Sequence, residues 1–277
     1  MILSFHPIIV ADENIICAGR DPDKGDLAAI RKADAVILPQ GCTEPLYRMA
    51  TANCRHVFPN LDVRYDFPSK SGQVQLLDKL GVAHPETAYF ESVVAFQRSA
   101  DTIVYPVVVK YDWGDQGETV FKADDSEQLA AVLDRATACE TTGQCGLLVQ
   151  EYVPADHGAL RVVLIATRKV AYWRVPQSPH KFGTHVVGGA RIDTTYGPDL
   201  QQAAIAVVEQ VGRQTGLQLA GFDFIFDQRD LGRGLIRPLM LEINFFFGRT
   251  GLGGSEAYYR ILEAEIDTWL AAIGLSR

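Results

Sequence analysis

The chain has 277 residues, 47% hydrophobic and 22% charged, with a formal net charge of -8 and a pI near 5.3. Such a composition supports one large or two modest hydrophobic cores and excludes disorder, collagen-like repeats and coiled coil. The acidic balance also speaks against DNA or RNA as a partner, because nucleic-acid binding needs clustered Lys and Arg to displace counterions.

The spacing of the first sixty-odd residues predicts a small α/β layer with a parallel sheet. Strands are expected at Ile2 to Phe5, Ile15 to Ala18, Ala35 to Leu38 and His56 to Phe58, with helices near Asp26 to Lys32 and Glu44 to Asn53. A helix over Ser69 to Leu80 follows, opened by Pro68 and closed by Gly81, with Pro85 beyond it. Next come a β-rich run from Thr102 to Tyr111, a loop from Asp112 to Gly117, a strand at Thr119 to Phe121, a helix at Ser126 to Thr137 and a strand at Leu147 to Tyr152. Strands at Ala159 to Ile165 and Val170 to Val175 precede a glycine-rich stretch that ends in Gly188 and Gly189. A helix from Leu200 to Thr215, strands at Gly221 to Phe226 and Pro238 to Ile243, and a helix from about Glu256 to Ala272 complete the pattern.

No apolar run approaches the ~20 residues needed to cross a bilayer, and Asp12 and Glu13 interrupt the amino-terminal stretch where a leader would be continuous. A membrane is therefore not an expected partner. The five cysteines (Cys17, Cys42, Cys54, Cys139, Cys145) form no C-x-x-C pair, which predicts reduced thiols and a cytoplasmic setting. The six histidines form no H-E-x-x-H, and neither a G-x-S-x-G elbow nor either common nucleotide fingerprint, G-x-G-x-x-G after the first strand or G-x-x-x-x-G-K-[ST], is present.

Chemistry concentrates elsewhere. In Leu239-Met-Leu-Glu-Ile-Asn244, strand alternation puts Glu242 and Asn244 on one face and Leu241 and Ile243 on the other. Asp223 stands in the apolar strand Gly221 to Phe226, where an unpaired carboxylate is expensive. If these strands pair, Asp223, Glu242 and Asn244 make an all-oxygen cluster suited to Mg²⁺; otherwise they are polar residues on a solvent face. Lys110 ends an apolar strand just before a loop carrying Gly114 and Gly117, whose backbone N–H groups can cradle phosphate, although many such loops are only turns. Lys70, near the start of its helix, is a weaker cation of the same kind. Gln150 and Glu151 end a strand before Pro154, as a hinge for an adenine edge would, or as a strand leaving the core would. Arg161 and Arg174 lie in apolar strands, where guanidinium groups meet carboxylate or phosphate.

In order and spacing, the Lys70-x6-Leu77 helix leading to Gly81-Val-x-x-Pro85, Val-Val-Lys110, Val-Gln-Glu-Tyr-Val153, Arg161, Gly-Phe-Asp223 and Leu-Glu-Ile-Asn244 resemble the ATP-grasp superfamily. The resemblance covers roughly residues 66 to 270 and is closest to the branch of bacterial glutathione synthetase and the ligases that glutamylate a ribosomal protein. It implies an α/β fold of the α+β grasp type: a short α/β domain over 1–66, an ATP-grasp body over 67–277, and an inserted lid subdomain over about 100–153. It implies an ATP-dependent carboxylate-amine ligase that works through an acyl phosphate and releases ADP and phosphate. The alternative is an ATP-binding module without ligase activity.

By resemblance, Lys70 and Lys110 hold ATP phosphates under the loop from Trp113 to Thr119, while Gln150, Glu151, Tyr152 and Val153 form the adenine hinge above Leu241. Asp223, Glu242 and Asn244 would hold Mg²⁺ or Mn²⁺, and Arg161 and Arg174 would face the acceptor. The substrates implied are a small-molecule or peptide carboxylate and an amine; a homodimer is left open.

Three departures bear on this. Ala159 stands where the family has an acid for the ribose, leaving Asp156 as the nearby carboxylate. Phe182 and Thr184 replace basic and amide residues, with Lys181 and His185 as alternative phosphate contacts. The turn after Asn244 is the longer Phe245 to Ser255, in which Arg249 either clamps an acceptor carboxylate or is solvated.

Overall fold

The computed structural model describes residues 1–99, 102–114, 118–176 and 190–277. Three sheets organise them. The first joins β1 (Ile2–Ser4), β2 (Glu13–Asn14), β3 (Ala35–Ile37) and β4 (Val57–Phe58) in the order β2-β1-β3-β4, all parallel. Two helices, α1 (Lys24–Lys32) and α2 (Glu44–Asn53), make its crossovers. The second strand pairs through Glu13 and Asn14 instead of the apolar run Ile15 to Ala18. Ala18 and Gly19 both take left-handed backbone, φ 48° and 80°, which turns the chain away from the sheet.

After α3 (Asp62–Asp66), α4 (Ser69–Leu80) occupies the expected residues. Gly81 closes it at φ 64°, and the Val82 N–H donates to the Leu77 carbonyl at 2.9 Å. The middle sheet is antiparallel, in the order β5-β8-β6-β7, from β5 (Thr87–Phe90), β6 (Val107–Tyr111), β7 (Val120–Ala123) and β8 (Leu147–Glu151). Helices α5 (Val93–Ser99) and α6 (Ser126–Glu140) complete the unit, and Phe96, Leu129 and Leu133 pack with Val107 and Val109 in its core. The β-rich run expected from Thr102 pairs only from Val107 onward; Pro106 has no N–H to donate to the ladder. β5 lies upstream of the segment expected from about residue 100.

The third sheet is a five-stranded antiparallel one, in the order β11-β10-β9-β12-β13. Its strands are β9 (Ala159–Ile165), β10 (Arg168–Val175), β11 (Arg191–Asp193), β12 (Leu219–Phe226) and β13 (Pro238–Asn244). On one face, Leu76 and Leu77 of α4 and Ala204, Val208 and Val211 of α7 (Pro198–Thr215) cover Leu160, Val162, Phe222 and Phe224. After the short α8 (Gln228–Leu231), α9 (Gly254–Ala272) covers the other face. Its Tyr258, Leu262, Ile266 and Leu270 lie between Val163 and Ile165 of the third sheet and Ile2, Ile37 and Phe58 of the first. The strands β9 and β12 are covered on both faces, which is why they read as apolar runs apart from Arg161 and Asp223.

The chain enters α9 through a tight contact. A Cβ added to Gly251 would lie 2.2 Å from the Tyr172 ring, whose residue is 2% exposed and cannot yield. Gly251→Ala should therefore lower unfolding stability by about 1–3 kcal/mol through overpacking, read as a lower denaturant midpoint. An unchanged midpoint would mean the 250s loop shifts freely.

Candidate functional site

A cavity of about 800 Å³ lies between the middle and third sheets. Val108, Val120, Val153, Ile225 and Leu241 give it apolar walls, and Lys110, Arg174, Asp223, Glu242 and Asn244 gather to make its charged end. An apolar slot ending in convergent charge is the usual form of a site for a ligand with an aromatic part and an anionic part.

The charged end is built by register. Antiparallel pairing aligns Tyr172 of β10, Arg161 of β9, Asp223 of β12 and Glu242 of β13 in one row across the third sheet. Arg161 donates through Nε to Asp223 Oδ1 at 2.7 Å and through Nη2 to Oδ2 at 2.6 Å, and Arg174 Nη2 reaches Oδ2 at 2.7 Å. All three residues are buried. Burial alone would raise the Asp223 pKa, but Arg174 and Arg161 together hold the carboxyl well below the usual range. Arg174 Nε is buried with no partner among the described residues.

A bulge then re-aims the next strand. Asp223 pairs with Glu242 and Phe224 with Met240, so Leu241 is the extra residue on β13. Simple alternation put Leu241 with Ile243; instead Leu241 lines the cavity beside Glu242 while Ile243 goes into the core. Asn244 Nδ2 donates to Glu242 Oε1 at 3.0 Å and to Asp223 Oδ2 at 3.2 Å, which leaves its Oδ1 as an oxygen donor. Burial and the neighbouring Asp223 raise the Glu242 pKa. Burial brings Lys110 down to about 8, with Glu242 opposing and Lys70 reinforcing the shift.

The donor set fits a hard divalent cation. Glu242 is a carboxylate disfavoured by its surroundings, so a cation at its oxygens offsets that cost, and Asn244 adds a neutral oxygen. Asp223 is committed differently, because its Oδ2 already accepts from Arg161, Arg174 and Asn244. Among the described residues no three His, Cys, Asp or Glu side chains gather as a metal cluster.

The middle sheet supplies the opposite wall. Lys70 Nζ donates to the carbonyls of Gly114 at 2.8 Å and Trp113 at 3.2 Å, and Asp112 accepts from the Ser71 N–H and Oγ, each at 2.7 Å. Gly114 has φ 80°, and an added Cβ would lie 2.5 Å from Thr119 Cγ2. Gln150 turns its side chain to Thr87 Oγ1 at 2.8 Å, and Glu151 exchanges hydrogen bonds with the Glu86 backbone. The Lys122 ammonium lies 4.6 Å from the Tyr152 ring centre. Gln150, Glu151, Tyr152, Val153 and Asp156 all line the cavity.

Arg249 is not brought to this cluster. It borders a second, more open depression of about 450 Å³ with Gln40, Phe246 to Thr250, Gly254 and Ser255. Its guanidinium lies 4.6 Å from the ring centres of both Tyr258 and Tyr259. Phe246 borders both spaces, so they adjoin. Gly117 and Lys181, together with Phe182, Thr184 and His185, lie outside the described residues. Sequence reasoning missed Gln73 and Arg64, both cavity-lining. Gln73 shares a helix face with Lys70, three residues away, and that spacing was the available signal.

Removing the shared anion should expose the cost of the buried arginines. Asp223→Asn is expected to destabilise the fold by about 3–5 kcal/mol, the usual result of stripping one partner from a buried ion pair. Because the native carboxyl titrates below its unfolded value of about 3.9, its contribution is full above that pH and lost as pH falls through the native pKa. Acid unfolding curves of wild type and Asp223→Asn should begin to converge as pH falls below about 4 and meet only well below it; parallel curves would assign the acid limb to other carboxylates.

A family model described as the RimK-like ATP-grasp domain matches residues 68–265. Among curated proteins none matches by sequence. Among solved structures, the chain is similar to a RimK domain protein ATP-grasp from Sphaerobacter thermophilus, at 15% identity and a TM-score of 0.62 over 95% of this chain and 96% of that one. It is also similar to an N5-carboxyaminoimidazole ribonucleotide synthetase in its ADP complex, at 12% identity and a TM-score of 0.61 over 90% of this chain and 64% of that one. An L-amino acid ligase from Bacillus licheniformis follows at 14% identity and a TM-score of 0.53, over 86% of this chain and 56% of that one. With a charged cavity between its middle and third sheets and a family match across most of its length, the chain belongs to the RimK-like ATP-grasp family.

Proposed function

We propose that this protein is an ATP-dependent carboxylate-amine ligase. The observation that carries the reading is the convergence of Lys110, Arg174, Glu242 and Asn244 in one cavity that also has apolar walls. The ADP complex of the synthetase and the amino-acid ligase among its structural neighbours support it. On this reading residues 1–66 form the amino-terminal domain, residues 67–277 the grasp body, and the middle sheet the lid.

Bound ATP would supply the phosphoryl group that activates a carboxylate, and bound Mg²⁺ would neutralise phosphate charge. The protein's own part is positioning and charge. Val108, Val120, Ile225 and Leu241 bury the base, and the backbone of Glu151 to Val153 offers hinge groups to its edge. Lys110 places an ammonium at the phosphates, and Glu242 and Asn244 hold the cation. Arg174, with one buried N–H unpaired, donates toward the oxygens of the activated carboxyl group. Charge on a transferring phosphoryl group is spread over its oxygens, so fixed cations there stabilise the transition state without reorganising. The depression at Arg249 would receive the acceptor, with Phe246 as an apolar wall beside the guanidinium.

The second reading is an ATP-binding module without ligase activity. It draws on Arg161, whose Nε and Nη2 are both taken up by Asp223.

The two readings separate by ADP release in the presence of pooled amino acids and small peptides. The ligase needs both an acid and an amine for turnover, whereas the module binds ATP, gaining about 2.7 kcal/mol of stability at 100 times Kd, and releases nothing. Lys110→Met should weaken ATP binding by roughly 10- to 100-fold, the worth of a hydrogen bond to a charged group. Glu242→Gln should mainly lower metal-dependent turnover. Since Lys110 titrates at about 8, affinity for ATP should fall as pH rises through that value, and Lys110→Met should abolish that dependence. Arg249→Ala should raise KM for the acceptor and leave ATP affinity unchanged. Unchanged KM would remove Arg249 from the site.

A further inference from the structure

Among the described residues β13 is an edge strand, and the outward backbone groups of Ile243 have no neighbouring strand to pair with. Gln73 of α4 fills that place. Its Oε1 accepts from the Ile243 N–H at 2.7 Å, and its Nε2 donates to the Ile243 carbonyl at 3.0 Å. One side-chain amide thus reproduces both bonds of a strand neighbour, across a sequence separation of 170 residues. Ile243 is the residue between Glu242 and Asn244.

The same turn of α4 grips the opposite wall. Ser71 binds Asp112, and Lys70 binds the Gly114 carbonyl, so this turn is tied to the end of the strand that carries Lys110. Close packing removes slack, since a Cβ on Gly72 would lie 2.9 Å from the Phe67 backbone.

We infer that Gln73 is a positioning residue that holds Glu242 and Asn244 in fixed relation to Lys110 by clamping the backbone between them. The inference rests on the proposed reading that Glu242 and Asn244 hold a divalent cation beside ATP. A swing of the Ile243 peptide would move both oxygen ligands together, because they flank it.

The test uses the full chain and Gln73→Met, which keeps the length of the side chain and removes both hydrogen bonds. Gln73→Glu keeps the acceptor for the Ile243 N–H and presents an oxygen to the carbonyl. Mn²⁺ binding is measured by electron paramagnetic resonance with a saturating non-hydrolysable ATP analogue, and analogue binding alone is measured by calorimetry in EDTA. Gln73→Met should weaken Mn²⁺ by about 10-fold, as loss of an outer-sphere support does, with metal-free analogue binding unchanged. Gln73→Glu should also weaken Mn²⁺, and it carries the test if Gln73→Met does not fold. Amide exchange at Ile243 should quicken in Gln73→Met while Phe222 and Phe224 stay protected. Equal Mn²⁺ affinity in wild type and both variants would overturn the inference and leave the ligase reading standing. Parallel loss of metal-free analogue binding would overturn it too, by showing a general structural role. A wild type that binds neither analogue nor Mn²⁺ would fell the ligase reading and this inference with it.

Discussion

Asp223 sits at 1% exposure in an apolar strand with two guanidinium groups on its carboxylate, and an ion in such surroundings is tolerated only when its partners are held in place. The partners come from two different strands, so the pair cannot form until β9, β10 and β12 are in register. Once formed it orients Arg174 along the cavity wall and gives Asn244 an anchor for its amide nitrogen. The charged end of the cavity is therefore preorganised by the sheet, before any ligand arrives.

The cavity depends equally on elements that carry no charge. The middle sheet is a separate packed unit whose core, around Val107, Val109 and Leu133, is independent of the third sheet's. Such a unit can be positioned as a whole against the body, and α4 is where the two meet. Its first turn contacts the loop after β6, and its Leu76 and Leu77 lie in the core of the third sheet. A short helix with one end on each wall suits a site that must exclude water during group transfer.

The longer elements of this fold were legible because their patterns are self-sufficient. Helix α4 has its boundaries stated by Pro68 and Gly81, and β9 by an apolar run broken only by Arg161, so both lie where the pattern put them. The short strands β5 and β11 were not legible. Edge strands of three or four residues carry too little alternation to be distinguished from loop, and pairing decides them. The strand expected at Ile15 to Ala18 failed for a related reason: Ile15 and Cys17 join the core around Leu3 and Leu46, while the paired register ends at Asn14.

What the sequence determined by itself was the inventory: Lys110 at the end of an apolar strand, a carboxylate in Gly221 to Phe226, Glu242 and Asn244 two residues apart, and the order in which they occur. These are local properties of spacing and burial preference, readable along the chain. Tertiary structure alone decided who meets whom. Register placed Arg161 and Arg174 on Asp223, the bulge turned Leu241 into the cavity, and the course of the 250s loop carried Arg249 to a neighbouring depression. A two-residue periodicity cannot encode a bulge, and the choice of partner for a buried charge is made across strands that lie sixty-two residues apart in the chain.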